Sequence, residues 1–206
     1  MRWWTRNKRE YPWRETNDPY EVLVSEVFLH RTRAEQAATV FSRFIEKYPT
    51  AKDLASATES DIVDMMRPLG LFWRAKLLHR MSKAILEEHE GQIPEKQADL
   101  LQLPGVSHYI AATVGCFAYG RPEVLLDTNT VRILGRVFGE AVNDSSRRSK
   151  HFHNLYSSLM DKKNPREFNY AMLDLGALVC TPHNPRCHVC PVTYSCNYAS
   201  LRVAAQ

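Results

Sequence analysis

The chain has 206 residues, 44% of them hydrophobic and 24% charged, with a formal net charge of +4. That composition excludes a disordered chain, and the length suits one large domain or two small ones with adequate cores. No apolar run approaches the roughly 18 residues of a membrane span, and the start "MRWWTRNKRE" lacks the apolar core of a secretory signal. The chain is therefore read as intracellular, with no membrane partner. The mild basic excess is compatible with a polyanionic partner but identifies none.

Strand signals are nearly absent, and helical spacing of apolar residues dominates. Asp18-Pro19 starts a helix running to about Leu29, and Arg33 to Lys47 gives a second before Tyr48-Pro49. Segments Ala51–Ala55, Glu59–Met66 and Phe72–His89 follow, then Lys96–Leu103, which ends at Pro104-Gly105. Residues 106–119, 128–138, 147–160 and 166–179 complete the series. The pattern predicts an all-α protein of around ten helices with short loops.

In the first of these helices Val22, Leu23, Val24, Val27, Phe28 and Leu29 are apolar nearly all round, which makes it central. Glu26 shares a face with Val22, Leu23, Leu29 and His30. A carboxylate in such surroundings is expected to have its pKa raised, which suits a general acid; an Arg or a backbone N–H satisfying it is the alternative.

Further along, "LPGV" joins two helices through a tight turn that Gly105 permits. The N–H groups of Val106, Ser107 and His108 are expected to point outward from a helix N-terminus, a site suited to one phosphate and blind to base sequence. A plain helical hairpin is the competing account. Tyr109 lies on the first turn of the helix that follows. Eighteen residues later Asp127 follows three apolar residues and precedes a helix. An ordinary N-cap explains it; return of the chain to the start of the previous helix would instead place it in a cleft.

Four of the five cysteines crowd the C-terminal region as C-x6-C-x2-C-x5-C: Cys180, Cys187, Cys190 and Cys196. Four thiolates this close can wrap one metal centre. Zinc usually takes two short pairs, and only one C-x2-C exists here, so the spacing favours an iron–sulfur cluster over zinc. Cys116, alone in an apolar helical pattern, reads as a small buried side chain, and a disulfide framework is not expected inside a cell.

Taken together, these residues resemble the helix-hairpin-helix DNA glycosylases of the endonuclease III-like superfamily. "LPGV", the Asp 18 residues past Tyr109 and the four-cysteine spacing carry the resemblance. "YPWRETNDPYEVLVSEVFLHRT", "LGLFWRAKLLHRMSKAI" and "MLDLGALVCTPHNPRC" extend it over nearly the whole chain. The resemblance implies a [4Fe-4S] cluster on the four cysteines. It implies two helical lobes with a DNA cleft between them: a central domain over residues 17–122 bearing the hairpin, and a cluster domain of residues 1–16 plus 123–206.

It further implies base excision from double-stranded DNA containing a mismatched or damaged base, by a monomer. Asp127 would stabilise positive charge on the deoxyribose, and Glu26 would relieve charge on the departing base. His30 and Arg31 stand where the family places residues that fill the hole left by a flipped nucleotide. Arg74, Lys76, Arg80 and Arg186 are candidates for phosphate contact. In bifunctional members a lysine stands at the position of Tyr109 and forms a Schiff base, which a phenol cannot. Tyr109 with "CFAYG" looks like the mismatch-specific glycosylases that remove T or U opposite G. Adenine glycosylases, which usually carry serine there, are the runner-up, and a non-catalytic, cluster-bearing DNA-binding protein is the rival from another class. The chain departs from the family's hairpin at Ser107 and His108, where glycine and a basic residue are usual.

Overall fold

The computed structural model describes residues 1–70 and 72–204, with side chains up to Leu201. Leu71, Ala205 and Gln206, which fall within the two expected domains, lie outside the described residues. Helices run over Arg2–Asn7 (α1), Pro19–Leu29 (α2), Ala34–Lys47 (α3), Ala51–Ser56 (α4), Glu59–Met66 (α5) and Trp73–His89 (α6). Gln97–Leu100 (α7), His108–Phe117 (α8), Thr128–Phe138 (α9), Lys150–Leu159 (α10), Pro165–Leu178 (α11) and Asn197–Ala204 (α12) follow. Among the described residues there is no strand, so the all-α expectation holds, and no helix is long and apolar enough to cross a membrane.

Local chemistry sets the boundaries. Asp18 caps α2 by accepting from the N–H of Tyr20 at 2.7 Å, with Pro19 pre-set at the first position. Thr50 and Asp53 close a reciprocal capping box on α4. Two expected helices are shorter than their apolar pattern. The run to Leu103 closes in tight turns after Leu100, where the N–H of Leu103 donates to Leu100 O at 3.2 Å. The run from 106 starts only at His108, because Ser107 adopts extended backbone as the N-cap.

The chain forms two compact units, Glu10–Arg121 and a discontinuous one of Met1–Arg9 with Pro122–Gln206. Segment 10–16, which the resemblance places with the C-terminal residues, packs in the central unit. Tyr11 stacks on Trp13 at 5.0 Å, Trp13 meets Phe41 edge-on at 5.4 Å, and Tyr11 donates to Glu35 at 2.6 Å. These contacts belong to a core that includes Leu23, Phe28, Phe44, Leu54, Ile62 and Leu78. In the discontinuous unit Val131, Leu134, Phe152, Tyr156 and Met160 form one apolar cluster and Ile133, Leu175 and Val179 another. Residues 1–9 are fastened there by Asp174, which is fully buried and accepts from Trp4 Nε1 at 2.9 Å, Arg9 N at 3.1 Å and Arg9 Nε at 2.6 Å.

Candidate active site

In the central unit, Leu100 and Leu103 anchor the hairpin in the core, and the turn passes through Gly105 at φ +78. A Cβ there would sit 2.5 Å from Leu77 Cδ1 in a backbone region that side chains avoid, so glycine is required. The N–H of Val106 was expected to face outward; instead it donates to Leu103 O at 3.1 Å and closes the turn. The outward-facing set therefore reduces to the start of α8, at Ser107 and His108, both exposed. Ser107 Oγ accepts from the N–H of Ile110 at 3.3 Å, a bond that leaves its own hydroxyl proton unused. Tyr109 is half-buried on the first turn of α8, and its carbonyl accepts from Thr113 Oγ1 at 2.9 Å.

Helix α2 packs on α8 and carries Glu26, half-buried between the buried Ser25 and Val27. Its end presents His30 and Arg31, both exposed, with Arg31 in the left-handed region at φ 59. Arg74 does not belong with them as a phosphate ligand. It is fully buried, with Nη1 donating to Phe28 O at 2.7 Å and Thr32 Oγ1 at 2.9 Å, and Nη2 donating to Leu69 O at 2.9 Å and Gly70 O at 3.0 Å. A cation at the carbonyl end of α2 satisfies groups that the helix leaves open, so Arg74 is a clamp inside the protein. Lys76 is exposed and pairs with Glu59 at 3.4 Å. Arg186 donates through Nε to Leu178 O at 2.9 Å and so folds the cysteine loop back on α11.

In the discontinuous unit Asp127 is the N-cap of α9. Its Oδ1 accepts from the N–H groups of Asn129 at 2.9 Å and Thr130 at 2.7 Å, while Oδ2 accepts from Asn129 Nδ2 at 2.9 Å. The capping role is realised, and it fixes the orientation of a half-buried carboxylate. From there the bonding continues. Arg132 Nη2 donates to Asn129 Oδ1 at 2.8 Å and to Gly176 O at 2.9 Å, and Arg132 Nε donates to Cys180 O at 2.8 Å. Burial pulls the Arg132 pKa down, while the charges of Cys180 and Asp127 oppose that. Gly176 makes room for this, because a Cβ there would meet Asn129 Cβ at 2.6 Å. Arg136, one turn on, donates to Cys180 Sγ at 3.4 Å and to Thr181 O at 2.7 Å.

Sequence reasoning missed Asn129, Arg132 and Arg136. Their mutual i, i+3, i+7 spacing was the available signal, since it places all three on one stripe of α9.

The four cysteines are brought together. Cys180, Cys187, Cys190 and Cys196 line one apolar cavity with Ile133, Val137, Leu175 and Val179. Burial pushes the Cys190 thiol up, and the other three thiols add to that. Among the described residues no group of three or more His, Cys, Asp or Glu is spaced to hold a single metal ion. A four-iron cluster makes a different demand, one thiolate for each iron, and four thiols around one apolar cavity fit it.

Residues 24–157 match the family described as HhH-GPD superfamily base excision DNA repair protein. A thymine-DNA glycosylase of Aeropyrum pernix is 40% identical over 196 residues, covering 92% of this chain and 87% of its own. A thymine/uracil-DNA glycosylase of Methanothermobacter thermautotrophicus is 31% identical over 199 residues, covering 96% and 90%. The solved structure of a thermostable thymine-DNA glycosylase superposes with a TM-score of 0.92 at 31% identity, over 97% of this chain and 93% of that one.

Proposed function

The chain belongs to the HhH-GPD superfamily of base excision DNA repair proteins, and from that premise we propose that it is a monofunctional DNA glycosylase removing T or U opposite G. The activities of its relatives support the substrate, and the phenol of Tyr109 on the first turn of α8 carries the monofunctional part.

In this reading the mismatched nucleotide is flipped out of the duplex, at a stacking cost of a few kcal/mol that is lower at a mismatch than at a matched pair. His30 and Arg31 fill the space it leaves. The start of α8, at Ser107 and His108, holds one phosphate through main-chain donors and the helix dipole. As the N-glycosidic bond breaks, positive charge grows on the deoxyribose. Asp127 faces it as a carboxylate whose orientation is set by three N–H donors of its own helix cap, so little reorganisation is needed at the moment of reaction. Glu26 donates a proton or a hydrogen bond to the leaving base, or directs the water that replaces it. Tyr109 has no amine, so no imine forms with the sugar, and the product is an intact strand with an abasic site.

Cys180, Cys187, Cys190 and Cys196 would hold a [4Fe-4S] cluster, which when bound ties the C-terminal loop to α9 and α11. The partner is double-stranded DNA, bound by a monomer.

The test is a single-turnover assay on labelled duplexes containing T·G, U·G, A·8-oxoguanine and A·G pairs, each with and without alkali. Product from T·G and U·G that needs alkali is the expected result. Strand cutting without alkali would remove the monofunctional claim. Turnover on the adenine pairs alone would reassign the substrate to that of the adenine glycosylases, which also match the chain.

A further inference from the structure

Two large aromatic side chains stand in water side by side at the start of α6: Phe72 is 49% exposed and Trp73 46%. Adjacent exposed aromatics on a folded surface are uncommon and mark contact sites. Trp73 is not isolated. The His30 ring meets it edge-on, with centroids 5.3 Å apart and planes at 88°. Arg31, next to His30, holds a left-handed backbone conformation that a residue with a side chain seldom takes, an outlier of the kind that gathers at functional positions.

What keeps these groups together is Arg74. Its Nη1 bonds the turn after α2 through Phe28 O, His30 O at 3.2 Å and Thr32 Oγ1, while Nη2 bonds the turn before α6 through Leu69 O and Gly70 O. The guanidinium is fully buried, so water does not compete for these bonds. One turn presents His30 and Arg31, and the other leads to Phe72 and Trp73. A single cation thus makes one rigid edge from two separate loops.

We propose that Trp73 is a specificity residue for the base opposite the lesion, with the His30 imidazole held against it as the group that reads that base. This rests on the reading of the protein as a glycosylase acting on T or U opposite G. When the lesion is flipped, its partner guanine is left without its pair. An indole provides a stacking surface, and an imidazole N–H set at right angles to it can donate to guanine O6 or N7. Adenine presents a donor where guanine has O6, so the same edge discriminates against U·A. Arg74 acts as the positioning residue, through the two turns.

Four variants test the proposal: Trp73→Ala, Trp73→Phe, His30→Ala and the Trp73→Ala/His30→Ala double. Single-turnover excision is measured on U·G and U·A duplexes. Binding is measured by fluorescence to a duplex with an abasic analogue opposite 2-aminopurine. Loss of one base–aromatic stack corresponds to a fall of roughly tenfold to a hundredfold in U·G excision for Trp73→Ala. The U·G to U·A ratio should shrink by the same order, Trp73→Phe should stay within about threefold of wild type, and the double variant should add little to either single one.

On wild type, 2-aminopurine fluorescence should drop on binding, and Trp73→Ala should abolish the drop. An unchanged U·G to U·A ratio in Trp73→Ala would overturn the proposal while wild-type U·G activity kept the glycosylase reading intact. An equal loss on both duplexes, with the fluorescence drop retained, would also overturn it, since that marks general destabilisation. Wild type inactive on U·G would overturn the glycosylase reading and this inference with it.

Discussion

Each unit is organised around one arginine, and the two arginines work differently. Arg74 is fully buried, and the partners of its Nη atoms are main-chain carbonyls and one threonine hydroxyl. Arg132 is half-buried and reaches a side chain, Asn129, which in turn holds the carboxylate of Asp127. The first cation fixes backbone and so determines shape. The second fixes the carboxylate proposed to react and links it to Cys180 in the cysteine loop. A clamp on backbone should show its loss as unfolding, whereas a clamp on a carboxylate should show it as lost turnover.

Asp127→Asn isolates chemistry from shape. Asparagine caps a helix about as well as aspartate, so urea unfolding should be nearly unchanged and the protein should still bind mismatched DNA. Excision should fall by about a thousandfold, the scale of removing a preorganised electrostatic partner of the transition state. Loss of folding in this variant would mean that Asp127 is a cap and nothing more.

Arg74→Ala should show the opposite split. It strands several dehydrated carbonyls at once, and a loss of about 3–5 kcal/mol is expected from the shift in the urea midpoint. Arg132→Ala should cost less, about 1–2 kcal/mol, because half-exposed carbonyls regain water. Its excision rate should nevertheless fall roughly tenfold with DNA affinity preserved, since Asn129 loses the donor that orients its amide. Equal stability losses in the two arginine variants would erase the distinction between them.

Gly176→Ala probes the second clamp from behind. The added carbon would press on Asn129 Cβ, and overpacking of this kind costs about 1–3 kcal/mol, read as a lower melting temperature. The smallest effect belongs to Lys76→Ala, whose exposed pair with Glu59 should contribute less than about 1 kcal/mol.

The sequence disclosed the two groups differently as well. The cap at Asp127 was legible because a carboxylate between an apolar run and a helix announces one. The gathering of the four cysteines around one cavity was legible because their short spacing leaves the thiols little room to separate. Arg74 is buried although a cation in "FWRAK" has the pattern of a wet helix face. Whether its long stem lies on the surface or turns inward depends on two turns some 44 and 5 residues away. The N–H of Val106 is hidden from the sequence for a similar reason, as its partner Leu103 O lies within the turn itself and is not visible in residue identities. Asn129, Arg132 and Arg136 became meaningful only once Gly176 brought α11 against α9.

The hydrogen bonds that fasten residues 1–9 to Asp174 have a consequence for how the chain is made. The central unit is one continuous run, complete once Arg121 has emerged from the ribosome, and its contacts can form while synthesis continues. The first nine residues cannot settle with it. Arg9 must wait for a carboxylate 165 positions downstream, a delay of roughly 8–33 s at ordinary elongation rates. During that interval the indole N–H of Trp4, which donates to the same carboxylate, also waits for its native acceptor.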